Sequence, residues 1–275
     1  MPVAFEWAGE PVELFAARGA LLRRHRTLLV ADLHLGKARA FRRQGVPVPG
    51  GTTQETLGRL SALVRASAPE RLVCLGDLLH SRDAQGSAAL EEFARWRAAH
   101  AQLALTLVRG NHDAHAGDPP AALAMDMADE PLALGAIALC HHPRRAAVAV
   151  AAPAPATLRV TPGARSFMDE AIAHAGADRP AAPPAARRAR ASMRGADAGR
   201  PRIAGHEHPC VGVHGATDSL RLPCFHFTPD VAVLPAFGAF TGMHAVRRVP
   251  GDRVWAVVDD HTLMEVGGGG VWPAA

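Results

Sequence analysis

Tyrosine is absent from the 275 residues, and tryptophan occurs only four times. A surface of stacked rings of the kind that grips unpaired bases is therefore not indicated. Lysine occurs once, at Lys37, so arginine carries nearly all the positive charge. The four cysteines, Cys74, Cys140, Cys210 and Cys224, form no C-x-x-C pair. That argues against a zinc knuckle and against a disulfide framework. Three of them lie in or beside apolar runs, and all four read as small buried thiols. No apolar run approaches the roughly 20 residues that span a bilayer. Residues 1–10 lack a basic stretch followed by an apolar one, so no signal peptide is read and the cytoplasm is the expected location, with no membrane partner.

What is present suffices for one large domain or two small ones, since 48% of the residues are apolar. The formal net charge is +4, and it is unevenly spread. Residues 143–200 hold ten arginines against four acids, a net of +6 that leaves −2 for the rest. The same 58-residue segment contains 20 alanines and seven prolines, which bury little apolar surface. It reads as an Ala/Pro/Arg-rich insertion, partly disordered, with one helix expected over 166–175.

Outside the insertion, apolar runs alternate with helical patterns. "RTLLVADLH" (26–34), "RLVCLGDLLH" (71–80) and "LALTLVRGNHDAH" (103–115) read as strands that end in polar residues. Thr52 and Glu55 fit a capping box ahead of a helix over 52–67, and Ser87 fits the N-cap of another over 87–100. This alternation implies βαβ units and a mainly parallel sheet. "AIALCHH" (136–142) is a further strand, and residues after Arg202 form short strand-like segments of a second half. "LGKARAFRRQG" (35–45) reads as a basic loop.

The strand ends share one property. In chain order they carry Asp32 and His34, Asp77 and His80, Asn111 and His112, His141, then His206 and His208. The carboxyl ends of parallel strands line one crevice, so these residues are able to converge. A D-x-H tripeptide, a Gly-Asp turn or a lone histidine is unremarkable alone. Five such groups in succession are not. Carboxylate and amide oxygens mixed with imidazoles suit manganese, iron or zinc better than calcium. A single carboxylate bridges two such ions in binuclear sites, and Asp77 is the candidate bridge.

The series "ADLH", "LGDLLH", "RGNHD", "CHHP", "AGHEHP" resembles the calcineurin-like metallophosphoesterase superfamily, over most of the chain apart from the insertion. That resemblance implies one metallophosphoesterase domain over 1–275, a four-layer α/β/β/α sandwich of two mixed sheets flanked by helices. It implies one divalent ion on Asp32, His34, Asp77 and His208, and a second on Asp77, Asn111, His141 and His206, with His142 as the alternative to His141. His112 would face the phosphate without binding metal.

His80 stands where many relatives have aspartate. In this the chain resembles the superfamily's double-strand-break repair nucleases, in which two histidines act as a pair. The runs "ADLHLGKARAFRRQGVPVP", "LGDLLHS" and "LPAFGAFTG" resemble more closely the bacterial ligase-associated DNA damage response endonucleases. These are manganese-dependent phosphodiesterases acting on DNA beside an ATP-dependent ligase, a helicase and an exonuclease. On that resemblance His80 holds the His112 imidazole, and Lys37, Arg39, Arg42 and Arg43 are positioned to contact backbone phosphates. Arg144 and Arg145 would do the same. Small phosphoesters are the alternative substrates, because the metals meet only a phosphate.

Overall fold

The computed structural model describes residues 1–143, 199–214 and 219–266. The arginine-rich segment lies outside them, and with it the helix expected over 166–175, Arg144 and Arg145. All the described residues up to Arg145 and from Gly199 onward belong to one compact unit.

Seven strands form the first sheet in chain order: β1 (Val3–Trp7), β2 (Glu10–Phe15), β3 (Gly19–Leu22), β4 (Thr27–Ala31), β5 (Arg71–Leu75), β6 (Ala104–Val108) and β7 (Asp126–Ala128). β1 to β4 pair antiparallel, whereas β4 to β7 pair parallel. The sheet is thus mixed, and its antiparallel half is built by a stretch that carries no chemical motif. The alternation within β2 explains its place: Val12 and Leu14 are buried while Glu13 and Phe15 are half-exposed.

The second sheet comprises β8 (Leu132–Leu134), β9 (Ile137–Leu139), β10 (Arg202–Ala204), β11 (Pro209–His214), β12 (Ser219–Phe227), β13 (Val231–Val233), β14 (His244–Ala245), β15 (Arg253–Val257) and β16 (Leu263–Glu265). Its β9, β10 and β13 run parallel, with Leu139 opposite Ile203 and Ala204 opposite Val233.

The described helices are α1 (Lys37–Arg43), α2 (Thr52–Ser67), α3 (Ala88–Ala99) and α4 (Asn111–Ala116). α1 replaces the expected basic loop. The Thr52–Glu55 capping box does not form: Gly51, at φ +82°, is the cap, and Thr52 is already the first helical residue. Ser87 does occupy the N-cap of α3, but its hydroxyl donates to the Ala84 carbonyl at 2.7 Å. Among the described residues no helix is long and apolar enough to cross a membrane, and all four cysteines are buried thiols.

Two cores result. Leu57, Leu60 and Leu63 of α2 and Leu90, Phe93 and Trp96 of α3 pack on the outer face of the first sheet. Between the sheets lie Leu14, Leu29, Val73 and Leu75 from one side and Leu139, Ile203, Phe225, Phe227 and Trp255 from the other. This sandwich presses the ends of β4, β5 and β6 against those of β9 and β10. Phe225 is fully buried there, so Phe225→Ala is expected to lower the unfolding free energy by about 3–5 kcal/mol in denaturant titrations. A loss below about 1 kcal/mol would contradict the assigned core.

Candidate metal centre

Every strand that contributes to the centre stops just before its polar residues. β4 ends at Ala31, ahead of Asp32 and His34; β5 at Leu75, ahead of Asp77; β6 at Val108, ahead of Asn111. β9 ends at Leu139 and β10 at Ala204, ahead of His141 and His206. Backbone bonds then hold the turns together. His34 N donates to Asp77 O at 2.8 Å, Phe237 N to Ala31 O at 2.7 Å, and Gly205 N to His141 O at 3.2 Å.

Asp32, His34, Asp77, His206 and His208 all have positive φ, between 45° and 71°. L-residues rarely adopt this left-handed region, and each instance costs on the order of 1–3 kcal/mol. Five in one crevice mark a place where the surrounding fold imposes side-chain direction.

The glycines that precede the ligand-type residues are explained by space. A Cβ on Gly76 would run into the His141 ring, and one on Gly110 into the Asp77 carboxylate. A Cβ on Gly205 would lie 2.6 Å from Asp32 Oδ2. The G-D, G-N and G-H pairs are therefore close-approach motifs as well as turns.

The seven ligand-type residues converge in two adjoining groups. Asp32, His34 and His208 offer atoms within 4.8 Å of one another, as do Asp32, Asp77 and His141. In the first group His34 Nε2 lies 3.3 Å from His208 Nε2. In the second, His141 Nε2 lies 2.8 Å from Asn111 Oδ1 and 3.0 Å from His206 Nδ1. Asp77 stands between them, with Oδ2 3.8 Å from His34 Nε2 and Oδ1 3.6 Å from His141 Nε2.

The tautomers matter. His141 Nδ1–H is directed at Leu75 O (3.1 Å), and His208 Nδ1–H at Gly242 O (3.1 Å). Their Nε2 atoms then carry lone pairs pointing inward. His141 Nε2 and Asn111 Oδ1 are thus two acceptors facing each other. Asp32 Oδ1 is buried and has no hydrogen-bond partner. A set of inward acceptors around an orphaned carboxylate oxygen fits a cation.

Electrostatics agree. Burial pushes the Asp77 carboxyl up, with Asp32 adding to the effect and His141 opposing it. Burial also pushes His34 down, helped by Lys37 and the neighbouring histidines, and brings His206 down to about 4. Burial drives both kinds of group toward neutrality; the neutral imidazoles are in their ligating form, whereas the carboxyl must lose its proton to bind an ion.

His141 and His142, equivalent on the sequence, are separated by geometry. His141 is fully buried among the carboxylates. His142 is half-buried and engages Glu130, whose Oε1 is 2.8 Å from its Nδ1, while still offering an atom within 4.8 Å of His141 and His206. Glu130 Oε2 also accepts both backbone N–H groups, at 2.9 Å each. Asp113 has a parallel role: its Oδ1 accepts from Leu78 N and Leu79 N, and its Oδ2 from Gly110 N. These two carboxylates position the ligand loops, and no motif in the sequence singled out Glu130.

His112 lies at the rim, its side chain 35% exposed, with Nε2 4.0 Å from Asp77 Oδ2. Its Nδ1–H donates to the backbone carbonyl of His80 at 2.7 Å, and the two rings stack 5.0 Å apart. The side-chain nitrogens of His80 are thus not what holds His112. The backbone oxygen and the ring face are. Burial, with His112 and Lys37 adding, brings His80 down to about 4.

Of the four basic residues expected to meet phosphate, two are occupied elsewhere. Arg42 donates to Val48 O and Pro49 O, and Arg43 pairs with Asp83 at 2.7 Å. Lys37 is half-buried beside Asp77 and Asp32, and its pKa is lowered by that burial against the pull of both carboxylates. Arg39 is exposed, at the surface of α1.

Gly76→Ala is expected to displace the His141 ring and cost at least one bound ion per chain, read by elemental analysis of folded protein; an unchanged metal content would contradict the close-approach argument. The raised Asp77 carboxyl has a signed consequence. Above its ordinary value of 3.8 it still holds protons that an ion must displace. Manganese affinity, followed by calorimetry, should therefore fall as pH is lowered from neutrality toward 5, with protons released on binding. A pH-independent affinity would rule this out.

Comparison with known proteins adds to this geometry. The calcineurin-like phosphoesterase family matches residues 25–152. The crystal structure of Pseudomonas putida nuclease MPE is 32% identical, with a TM-score of 0.67, over 94% of this chain and 97% of that one. A protein of unknown function from Aquifex aeolicus is 19% identical over 44% of this chain and 63% of its own, with a TM-score of 0.31. No curated protein matches the chain. With the sheet-end ligand order, the fold and a full-length relative in agreement, the chain belongs to the calcineurin-like phosphoesterase family, hydrolases that act on ester bonds with divalent metal ions.

Proposed function

We propose that the protein hydrolyses phosphodiester bonds of DNA, as a nuclease that uses two divalent ions, manganese first among them. One ion would rest on Asp32, His34, Asp77 and His208, the other on Asp77, Asn111, His141 and His206. The observation that carries this reading is the inward set of acceptors shared through Asp77, together with the nuclease relative that matches nearly the whole chain. The ligase, helicase and exonuclease that the subfamily resemblance implies belong to the same reading, as does a role in DNA repair.

When bound, such ions polarise the phosphate and lower the pKa of an attacking water. The chain's own groups do the rest. Asp77 and Asp32 fix the spacing of the two halves. His112, oriented by the His80 carbonyl, presents Nε2 at the mouth of the centre, where it meets charge that develops on the phosphate or on the leaving oxygen. Lys37, the cation nearest the carboxylates, is placed to hold a non-reacting phosphate oxygen.

The competing reading, a phosphodiesterase for nucleotides or other small esters, draws on the internal engagement of Arg42 and Arg43. That engagement leaves fewer free cations for a long polyanion. Metal-stripped protein supplied with manganese, magnesium or zinc is to be given plasmid, a labelled oligonucleotide and methyl p-nitrophenyl phosphate. Cleavage of the strands supports the proposal, and cleavage of the small ester alone overturns it. His112→Ala is expected to retain both ions while turnover falls roughly 10²–10⁴-fold. An active, metal-replete variant would remove His112 from the mechanism.

A further inference from the structure

The eight phenylalanines among the described residues divide unevenly. Phe93 and Phe237 belong to the helix-covered core, with Phe15 packed against it. Phe225 and Phe227 belong to the core between the sheets, with Phe5 packed against it. Phe41 and Phe240 belong to neither. They are half-exposed and meet each other edge to face, with centroids 5.5 Å apart.

Their position is the informative part. Phe41 also faces the His80 ring at 6.2 Å, and His80 stacks on His112 at 5.0 Å. The rings of His112, His80, Phe41 and Phe240 therefore run as one series from the mouth of the metal centre outward. Phe41 is four residues after Lys37 on α1, hence on the same helix face. Phe240 closes a narrow crevice of about 10 Å³ with His34, Gly36 and Lys37, which places its ring against the centre and leaves no space for a base there. Its loop is tied to the centre, since Gly238 N donates to Asp32 O at 3.1 Å and Ala239 N to Thr56 Oγ1 at 3.1 Å.

Rings left outside both cores, beside a half-buried lysine and in line with the histidine that meets phosphate, have the makeup of a base-stacking site. Every base has a π-face, so such a site takes bases without reading their sequence. The scarcity of aromatics in the composition argued against stacking. Two rings at the right place suffice, because only the nucleotide next to the reacting phosphate has to be held.

We propose that Phe41 and Phe240, continuing the His112–His80 ring series, form a stacking platform for the nucleobase adjoining the scissile phosphate. The proposal rests on the DNA reading above. It adds a specificity the metals do not supply: the substrate must carry a base that is free to leave its duplex stack on the His112 side of the cleaved bond.

The test uses metal-loaded, full-length protein and a single-stranded oligonucleotide whose cleaved bond has been mapped. The intact strand is compared with strands abasic at one or the other nucleotide flanking that bond. For the wild type, removal of the base on one flank is expected to raise KM roughly five- to a hundredfold, and removal on the other flank to leave it unchanged. Phe240→Ala and Phe41→Ala should each raise KM for the intact strand and lose the difference between intact and abasic. Phe41→Trp, which keeps a π-face, should restore it. Should Phe41→Ala loosen α1, Phe240→Ala reads the same platform from the neighbouring loop. Equal KM for intact and abasic strands in the wild type, or full discrimination retained by both alanine variants, overturns the platform while leaving the nuclease reading intact. A wild type that cleaves methyl p-nitrophenyl phosphate but no strand refutes the DNA reading, and the platform with it.

Discussion

Two buried carboxylates set among imidazoles, with the half-buried Lys37 beside them, are the constraint around which this molecule is organised. Asp32 and Asp77 are almost wholly shielded from solvent, and desolvation lowers the pKa of the neighbouring His34 and His206. Inward lone pairs on His141, His208 and Asn111 add to the imbalance. Buried charge without a partner is costly, and buried acceptors facing one another cost more. Divalent metal, which this family uses, would turn the same arrangement into a set of satisfied bonds, and the folded side chains are committed to that arrangement beforehand.

That commitment reaches into the backbone. Five ligand-type residues sit at positive φ, and the glycines before two of them, and before Asn111, leave room that a methyl group would fill. The strain is held by bonds from outside the ligand set: Asp113 fastens the β5 turn to the start of α4, and Glu130 fastens the turn after β9. Arg59 and Arg18 do likewise for the loop after β13, through the carbonyls of Phe237, Ala236 and Gly238. Rigidity in the centre is therefore distributed over residues that never touch substrate.

The legible and illegible parts of the sequence divide along physical lines. Short polar groups closing apolar strands announced Asp32, Asp77, Asn111 and His206, because strand ends in a parallel sheet share one edge. The preference for His141 over His142 rests on the His-Pro that follows it, while the contact that separates the two runs to Glu130, a residue in a loop of no evident pattern. The pairing of Arg43 with Asp83 spans 40 residues, whereas the local charge run points Arg43 at backbone phosphates. β1 to β3 lacked any motif, and α1 was masked by the glycines at its ends. The role of His80 was legible by position and not by atom: its carbonyl, which every residue has, orients His112.

The account stands or falls on two ions sharing Asp77. Anomalous diffraction from manganese-soaked crystals tests it most directly. The prediction is two peaks per chain, roughly 3.5–4 Å apart, with the Asp77 carboxylate between them. A single peak, or a pair that leaves Asp77 outside both coordination shells, would contradict it.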